Sequence, residues 1–349
     1  MALLCLFIML QAPLASAQQQ PPPSPEGVSA LNPGSDLWRD IRGRDLQFRE
    51  VGGNSGVTQV RGVDSGVLIN ARGDSWARFR RGELSKYGGG AIAGVFVILV
   101  LFFLVKGQIK IHGGASGRML QRYTSFQRIA HWTLAVVFLV LGLTGLVLLL
   151  GRPLLIPVFG KEIFALLATS SKFAHNLLGP LFGVSLIMML ISFAGKNLYE
   201  KGDIDWLLKG GGAFSKEHPS SGYFNTGEKL WFWLLMLVGL AITVTGLILM
   251  FPSFGQGRHV MELSHVIHSI GALVLICVSL GHIYMGSIGT EGAYQGMKTG
   301  YVDVNWANTH HDRWAQESEA EGKVLSAEEY ERLQAENSQG KLTPESGNA

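Results

Sequence analysis

Long apolar runs alternate with polar stretches along the chain, and the runs are the dominant signal. Residues 88–105, 129–150, 173–194, 230–251 and about 263–288 are apolar blocks. Each approaches the roughly 20 residues needed to cross a bilayer as a helix with its backbone groups paired internally. A shorter apolar block, residues 1–17, ends in Ala15-Ser16-Ala17 and runs into Gln18-Gln19-Gln20 and Pro21-Pro22-Pro23. It reads as a secretory signal peptide, although no Lys or Arg precedes its apolar core. Residues 18–87 are polar and rich in Gly and Arg, too poor in apolar side chains for a core of their own. They read as an exported arm with one short strand at 65–70 and one helical turn at 76–79. The pattern predicts an all-α integral membrane protein: signal peptide 1–17, exported arm 18–87, an extra transmembrane helix 88–106, a four-helix transmembrane bundle 121–290 and a tail 291–349. The acidic end beyond Glu317 is expected to be solvated and partly helical.

Composition narrows the class. Of 349 residues, 47% are hydrophobic and 16% charged, whereas soluble domains carry roughly a quarter charged residues. This argues against a soluble enzyme and, despite a pI near 8.8, against a nucleic-acid binder. The two cysteines, Cys5 and Cys277, both lie in apolar blocks. That excludes a c-type haem, a disulfide scaffold and a thiolate-bound cluster. Orientation follows from charge. Lys106, Lys110, Arg118, Arg122 and Arg128 follow the first span, and Lys196, Lys201, Lys209, Lys216 and Lys229 lie between the third and fourth. The stretch 252–261 carries only Arg258. The positive-inside rule therefore puts the long loop and the C-terminus on the cytoplasmic side.

Histidine supplies the candidate chemistry, since an ionisable side chain at membrane depth usually has a partner. His131 starts the second span, His175 starts the third, and His268 and His282 lie in the fifth. Fourteen residues separate His268 from His282, roughly 21 Å along a helix and about 40° short of four full turns. Both rings thus leave one face, one near each side of the membrane. His265 lies roughly 100° away from that face. Span direction then sets His131 level with His282 at the inner side and His175 level with His268 at the outer side. Neither pair has the further ligands a structural zinc requires. Two axial ligands suit a non-covalent haem b, and blocking both axial positions leaves the iron to electron transfer. Gly142, Gly145, Gly179, Gly183, Gly271 and Gly281 offer either a haem slot or close helix packing. Arg128, one turn before His131, is a candidate haem-propionate partner or an ordinary basic flank.

Several segments carry a family likeness over about residues 121–314. They are Arg128-Ile129-Ala130-His131-Trp132, the run from Ala174-His175-Asn176 to Gly183, Ile267-His268, and His282-Ile283-Tyr284-Met285. Tyr223-Phe224-Asn225-Thr226-Gly227-Glu228-Lys229 and His310-His311-Asp312-Arg313-Trp314 complete the set. With these the sequence resembles the cytochrome b (gamma) subunit of membrane-bound, quinone-linked bacterial formate dehydrogenases. The resemblance implies two haem b groups, held by His175 with His268 and by His131 with His282. It also implies a quinone site beside the inner haem made by Asn225, Gly227 and His282. Glu228 stands where the family pattern has an amide. The implied partners are a molybdenum- or tungsten-containing catalytic alpha subunit and an iron–sulfur beta subunit on the periplasmic side, with the quinone pool as acceptor. From the residues alone, Asn225 and Gly227 read equally as a turn capping the fourth span. Other readings are the equivalent subunit of a quinone-linked hydrogenase or thiosulfate reductase, a haem-free membrane anchor and a transporter. A transporter predicts internal repeats and midplane sites, and neither is present in the sequence.

Overall fold

The computed structural model describes residues 76–212 and 219–338. The signal peptide, most of the arm and the 65–70 strand lie outside them. Among the described residues, four helices are long and apolar enough to cross a membrane, and the longest covers two spans. The first is continuous over Trp76–Lys106, so the helical turn expected at 76–79 runs through a π-turn into α1, Ser85–Lys106. A short strand, β1 (Met119–Gln121), leads to α2, Ser125–Phe193. Thr124 opens α2 with a reciprocal cap: its hydroxyl accepts from the Gln127 N–H, and the Gln127 side chain accepts from the Thr124 N–H.

Residues 151–172, which lie between the second and third predicted spans, stay helical, broken only where Gly160 takes φ 80°, ψ 173°. A side chain would strain that conformation, so glycine permits the break. After α3 (Asp203–Leu208), helix α4 (Thr226–Met250) and helix α5 (Arg258–Tyr284) complete the spans.

The core of the bundle is a set of i, i+3 and i+4 positions. Ala130, Leu134 and Val137 meet Phe182, Leu186, Met189 and Phe193 from the later part of α2, with Phe232, Leu235 and Met236 from α4 and Leu275 from α5. Small residues bring the helices close. A methyl at Gly239 would lie 3.0 Å from Leu186, and one at Gly271 2.7 Å from Ile242. Outward-facing apolar residues such as Leu143, Ile191 and Leu237 stay exposed, as expected of a surface solvated by lipid tails. α1 lies against α5, where a methyl at Gly88 would meet Leu273 at 2.6 Å.

The segment after α5 is more than a solvated tail. α6 (Ala293–Thr299), β2 (Tyr301–Asp303), α7 (Val304–His310), α8 (Asp312–Ala320), β3 (Val324–Leu325) and α9 (Ala327–Ser338) follow. The strands form an antiparallel sheet in the order β2-β1-β3. Its core holds Leu120, Val302, Val304, Trp306, Trp314 and Ala315. This small layer covers the end of the bundle where α2 and α4 begin.

Candidate functional site

The four predicted histidines come together as two facing pairs. His131 and His282 have ring centroids 6.1 Å apart, and His175 and His268 6.0 Å apart. Two imidazoles on opposite sides of one iron, each with a metal–nitrogen distance of about 2.0 Å, place their ring centroids roughly 6.3 Å apart. Both pairs fit that spacing. Among the described residues no third His, Cys, Asp or Glu joins either pair to make a metal-ion cluster.

The His175–His268 pair is supported from neighbouring turns and helices. His268 Nδ1 lies 2.9 Å from the Ile242 carbonyl oxygen, with Thr245 Oγ1 at 3.4 Å. Donation from Nδ1–H to that carbonyl leaves Nε2 unprotonated and free to ligate a metal. His175 Nδ1 lies 2.9 Å from Thr144 Oγ1, which itself donates to the Val140 carbonyl. Glycines keep these rings in place. A methyl at Gly145 would lie 3.4 Å from His175 Cε1, and one at Gly246 3.1 Å from His268 Cε1. Gly145 belongs to the predicted slot; Gly246, Thr144 and Thr245 are supports that the sequence pattern does not mark. Of the other predicted glycines, Gly183 packs on Thr243, Gly142 touches Ile276 and Gly271 meets Ile242 and Val238, while Gly179 and Gly281 have nothing within 4 Å. His265 turns away as predicted and lies against Trp76, ring centroids 5.2 Å apart.

At the other end, His282 stacks on Trp231 at 5.5 Å with an interplanar angle of 26°, and His131 meets Trp132 edge-on. His131 Nδ1 is buried with no hydrogen-bond partner. The Arg128 guanidinium donates to the carbonyls of Met297, Lys298 and Thr299. It therefore clamps α6 to the start of α2, and only its remaining N–H groups are left for a propionate.

Asn225 and Gly227 sit at the start of α4. The Asn225 side chain accepts from the Glu228 N–H at 3.0 Å, and Glu228 Oε2 accepts from the Asn225 N–H at 2.9 Å. The capping role raised from the sequence is thus present, while the Asn225 amide nitrogen takes no part in it. Gly227 lies one turn before Trp231 on the same helix. Beside them, Lys229 Nζ is buried on Asp203 at 3.0 Å, and the Thr226 hydroxyl donates to Asp203 as well.

The segments Tyr223–Lys229 and His310–Trp314 touch each other. Asp312 Oδ1 accepts from the Ser221 N–H, His311 Nδ1 lies 3.1 Å from the Gly222 carbonyl oxygen, and Trp314 packs edge-on to Tyr223. Inside this clasp lies Arg122, whose guanidinium is 5.0–5.5 Å from the rings of Tyr123, Tyr223, Phe224, Trp306 and Trp314. Its Nη2 is 3.0 Å from His311 Nε2 and 3.7 Å from Glu228 Oε1. Burial, with Arg122 and His310 alongside, holds the His311 imidazole well below its usual range. The ring is neutral: Nδ1–H donates to Gly222 and Nε2 accepts from Arg122. Burial likewise raises the Tyr223 hydroxyl above its usual value.

A multi-pass helical bundle carrying histidine pairs at two levels defines a membrane cytochrome of the b type. The sequence profile of the prokaryotic cytochrome b561 family matches residues 122–300. The chain belongs to that family, which implies haem b as its cofactor. It is 31% identical over 226 residues to the nitrate-inducible formate dehydrogenase cytochrome b556 subunit of Escherichia coli, covering 61% of this chain and 99% of that one. It is 30% identical over 207 residues to the formate dehydrogenase cytochrome b556 subunit of Haemophilus influenzae, covering 56% and 82%.

Proposed function

We propose that the chain is the cytochrome b subunit of a formate dehydrogenase in a bacterial inner membrane. In this reading it receives electrons from a periplasmic iron–sulfur subunit and delivers them to quinone at the cytoplasmic side. Formate is oxidised on a partner alpha subunit containing molybdenum or tungsten. The arm is periplasmic and the C-terminus cytoplasmic. His175 and His268 hold the outer haem, His131 and His282 the inner one. When bound, the two haem b groups each accept and release one electron at a time.

The chain's own residues supply position and insulation. The Ile242 carbonyl and the Thr144 hydroxyl fix the ring orientations of His268 and His175. The apolar core between the two levels keeps water out of the bundle. Asn225, Gly227 and His282 line the quinone site, where the substrate takes two electrons and two protons from the cytoplasmic side to become quinol.

The observation that carries this reading is the two pairs of facing imidazoles, with ring centroids 6.1 and 6.0 Å apart. The names of the two relatives support the choice of formate as the primary donor. The test is a dithionite-reduced minus oxidised spectrum of the purified complex, with haem quantified per chain and formate-driven quinone reduction measured alongside. Two b-type haems and formate-dependent quinol formation are expected. Absence of a b-type band would sink the electron-transfer reading, and a complex indifferent to formate would sink the choice of donor.

A further inference from the structure

Trp206 is the tryptophan of the loop between the third and fourth spans, carried on α3. The six-membered edge of its indole is wedged between two glycines. A methyl at Gly227 would lie 3.0 Å from Trp206 Cη2, and one at Gly211 only 2.5 Å from the same atom. Gly227 is one of the residues assigned to the quinone site, so Trp206 is in direct contact with that site. The backbone beneath the indole is fixed. Asp203, three residues earlier, is clamped to α4 by Lys229 at 3.0 Å and by the Thr226 hydroxyl at 3.0 Å.

The ring itself is not pinned in the same way. Trp132 and Trp233 donate their indole N–H groups to the carbonyls of Met297 and Asn197 at 3.0 and 2.9 Å. The Trp206 indole N–H has no such acceptor among the described residues, and the side chain is half-buried. A flat apolar ring with an unused donor suits a ligand that is itself flat, apolar and edged with carbonyl oxygens. Ile204, Leu207 and Leu208 on the same short helix are 58%, 53% and 80% exposed, an apolar flank beside the indole. Four residues beyond Gly227, Trp231 stacks on His282, so two indoles bracket about 6 Å of α4.

We propose that Trp206 is a quinone-contacting residue: it forms the lipid-facing aromatic wall over Gly227 and offers its N–H to a quinone carbonyl oxygen. The proposal rests on the reading of Asn225, Gly227 and His282 as a quinone site.

The test uses the whole complex, with decylubiquinone and menadione as acceptors. Trp206→Ala is expected to raise the apparent KM for quinone about tenfold while kcat stays within about twofold. Trp206→Phe, which keeps the wall and loses the donor, is expected to raise it less. The haem spectrum and the formate-driven rate of haem reduction stay unchanged in both. A merely structural role would instead lower haem content and leave KM alone. Asn225→Ser, which keeps a helix cap and removes the amide, separates the two levels of the claim. If Asn225→Ser raises KM and both Trp206 variants leave it unchanged or lowered, the Trp206 role is overturned and the site stands. If none of the three alters KM, the quinone-site reading itself fails. Where Trp206→Ala does not assemble, the Phe variant decides the same question, since loss of the donor alone must still move KM.

Discussion

His265 and His268 lie three residues apart on α5, yet only one of them faces another histidine. His268 sits 6.0 Å from His175, whereas His265 lies against Trp76. If two haems are held as proposed, replacing His268 by Ala is expected to remove about half of the b-type absorbance of the purified complex, because a haem that loses one of its two histidines is held poorly. His265→Ala should retain all of it. The reverse result would mean that the face of α5 has been assigned wrongly. His311 makes a different prediction, about pH. Its imidazole is neutral when docked on Arg122 and Gly222, and its pKa lies well below 6.5. An undocked segment takes up a proton as the pH falls below about 6.5, and the docked one does not. Docking is therefore fully stable above that value and weakens below it, by up to about 1.4 kcal/mol per pH unit. His311→Gln, which keeps one donor and one acceptor, should flatten this dependence. Melting of the detergent-solubilised complex between pH 5 and 7 measures it, and an equal slope in both proteins would count against the assignment.

Short elements depend on long-range contacts, and α3 is the plainest case. Six residues cannot hold a helix in water on their own; the buried Asp203–Lys229 pair ties α3 to α4. Removing one partner of such a pair leaves a buried charge uncompensated and costs about 3 kcal/mol. Lys229→Met should therefore speed proteolytic cleavage within residues 198–212 by two orders of magnitude or so. Wild-type cleavage near neutral pH should stay flat. Burial raises the Asp203 carboxyl, but hydrogen bonds from the Glu200 N–H, Lys229 and Thr226 outweigh it and hold the group below its usual value. The tie is thus complete above the ordinary carboxyl value and is lost only as the pH falls through the lower, docked one. Equal cleavage rates in Lys229→Met and wild type would show that the pair does not hold α3. The same dependence explains what is legible in the sequence. The histidine pairs are legible because helix periodicity fixes a face over fourteen residues. The helical continuity of residues 151–172 is not legible, because Arg152, Pro153, Pro157 and Gly160 interrupt the apolar run, yet the chain breaks at Gly160 alone. The sheet and the Arg122 box are hidden for another reason. Strands of two or three residues carry no period, and Arg122 meets His311 across 189 residues of sequence.

At the scale of the whole molecule, the chain divides into a family core and an addition. The family profile covers residues 122–300, and all four paired histidines fall inside it. α1 lies outside and packs on the core through few and mostly apolar contacts. Gly88 sits against Leu273, Gly89 approaches Leu150, and the rings of Phe102 and Phe103 meet Tyr284 edge-on. Ser85 donates to the Leu149 carbonyl, and Trp76 reaches His265. None of these residues belongs to either histidine pair, and Leu149, Leu150 and Leu273 lie on helices that are each packed against α4. Removing residues 1–106 should therefore leave the haem content per chain unchanged, as measured by the reduced-minus-oxidised spectrum. We propose in addition that the exported arm, residues 18–87, docks the partner subunits, and that role predicts a different loss. The truncated chain should keep its haem and reduce it with dithionite, while formate no longer reduces it because the catalytic subunits co-purify poorly. Haem lost along with α1 would make that helix part of the bundle's own stability. A truncated chain still reduced by formate at the full rate would remove the docking role.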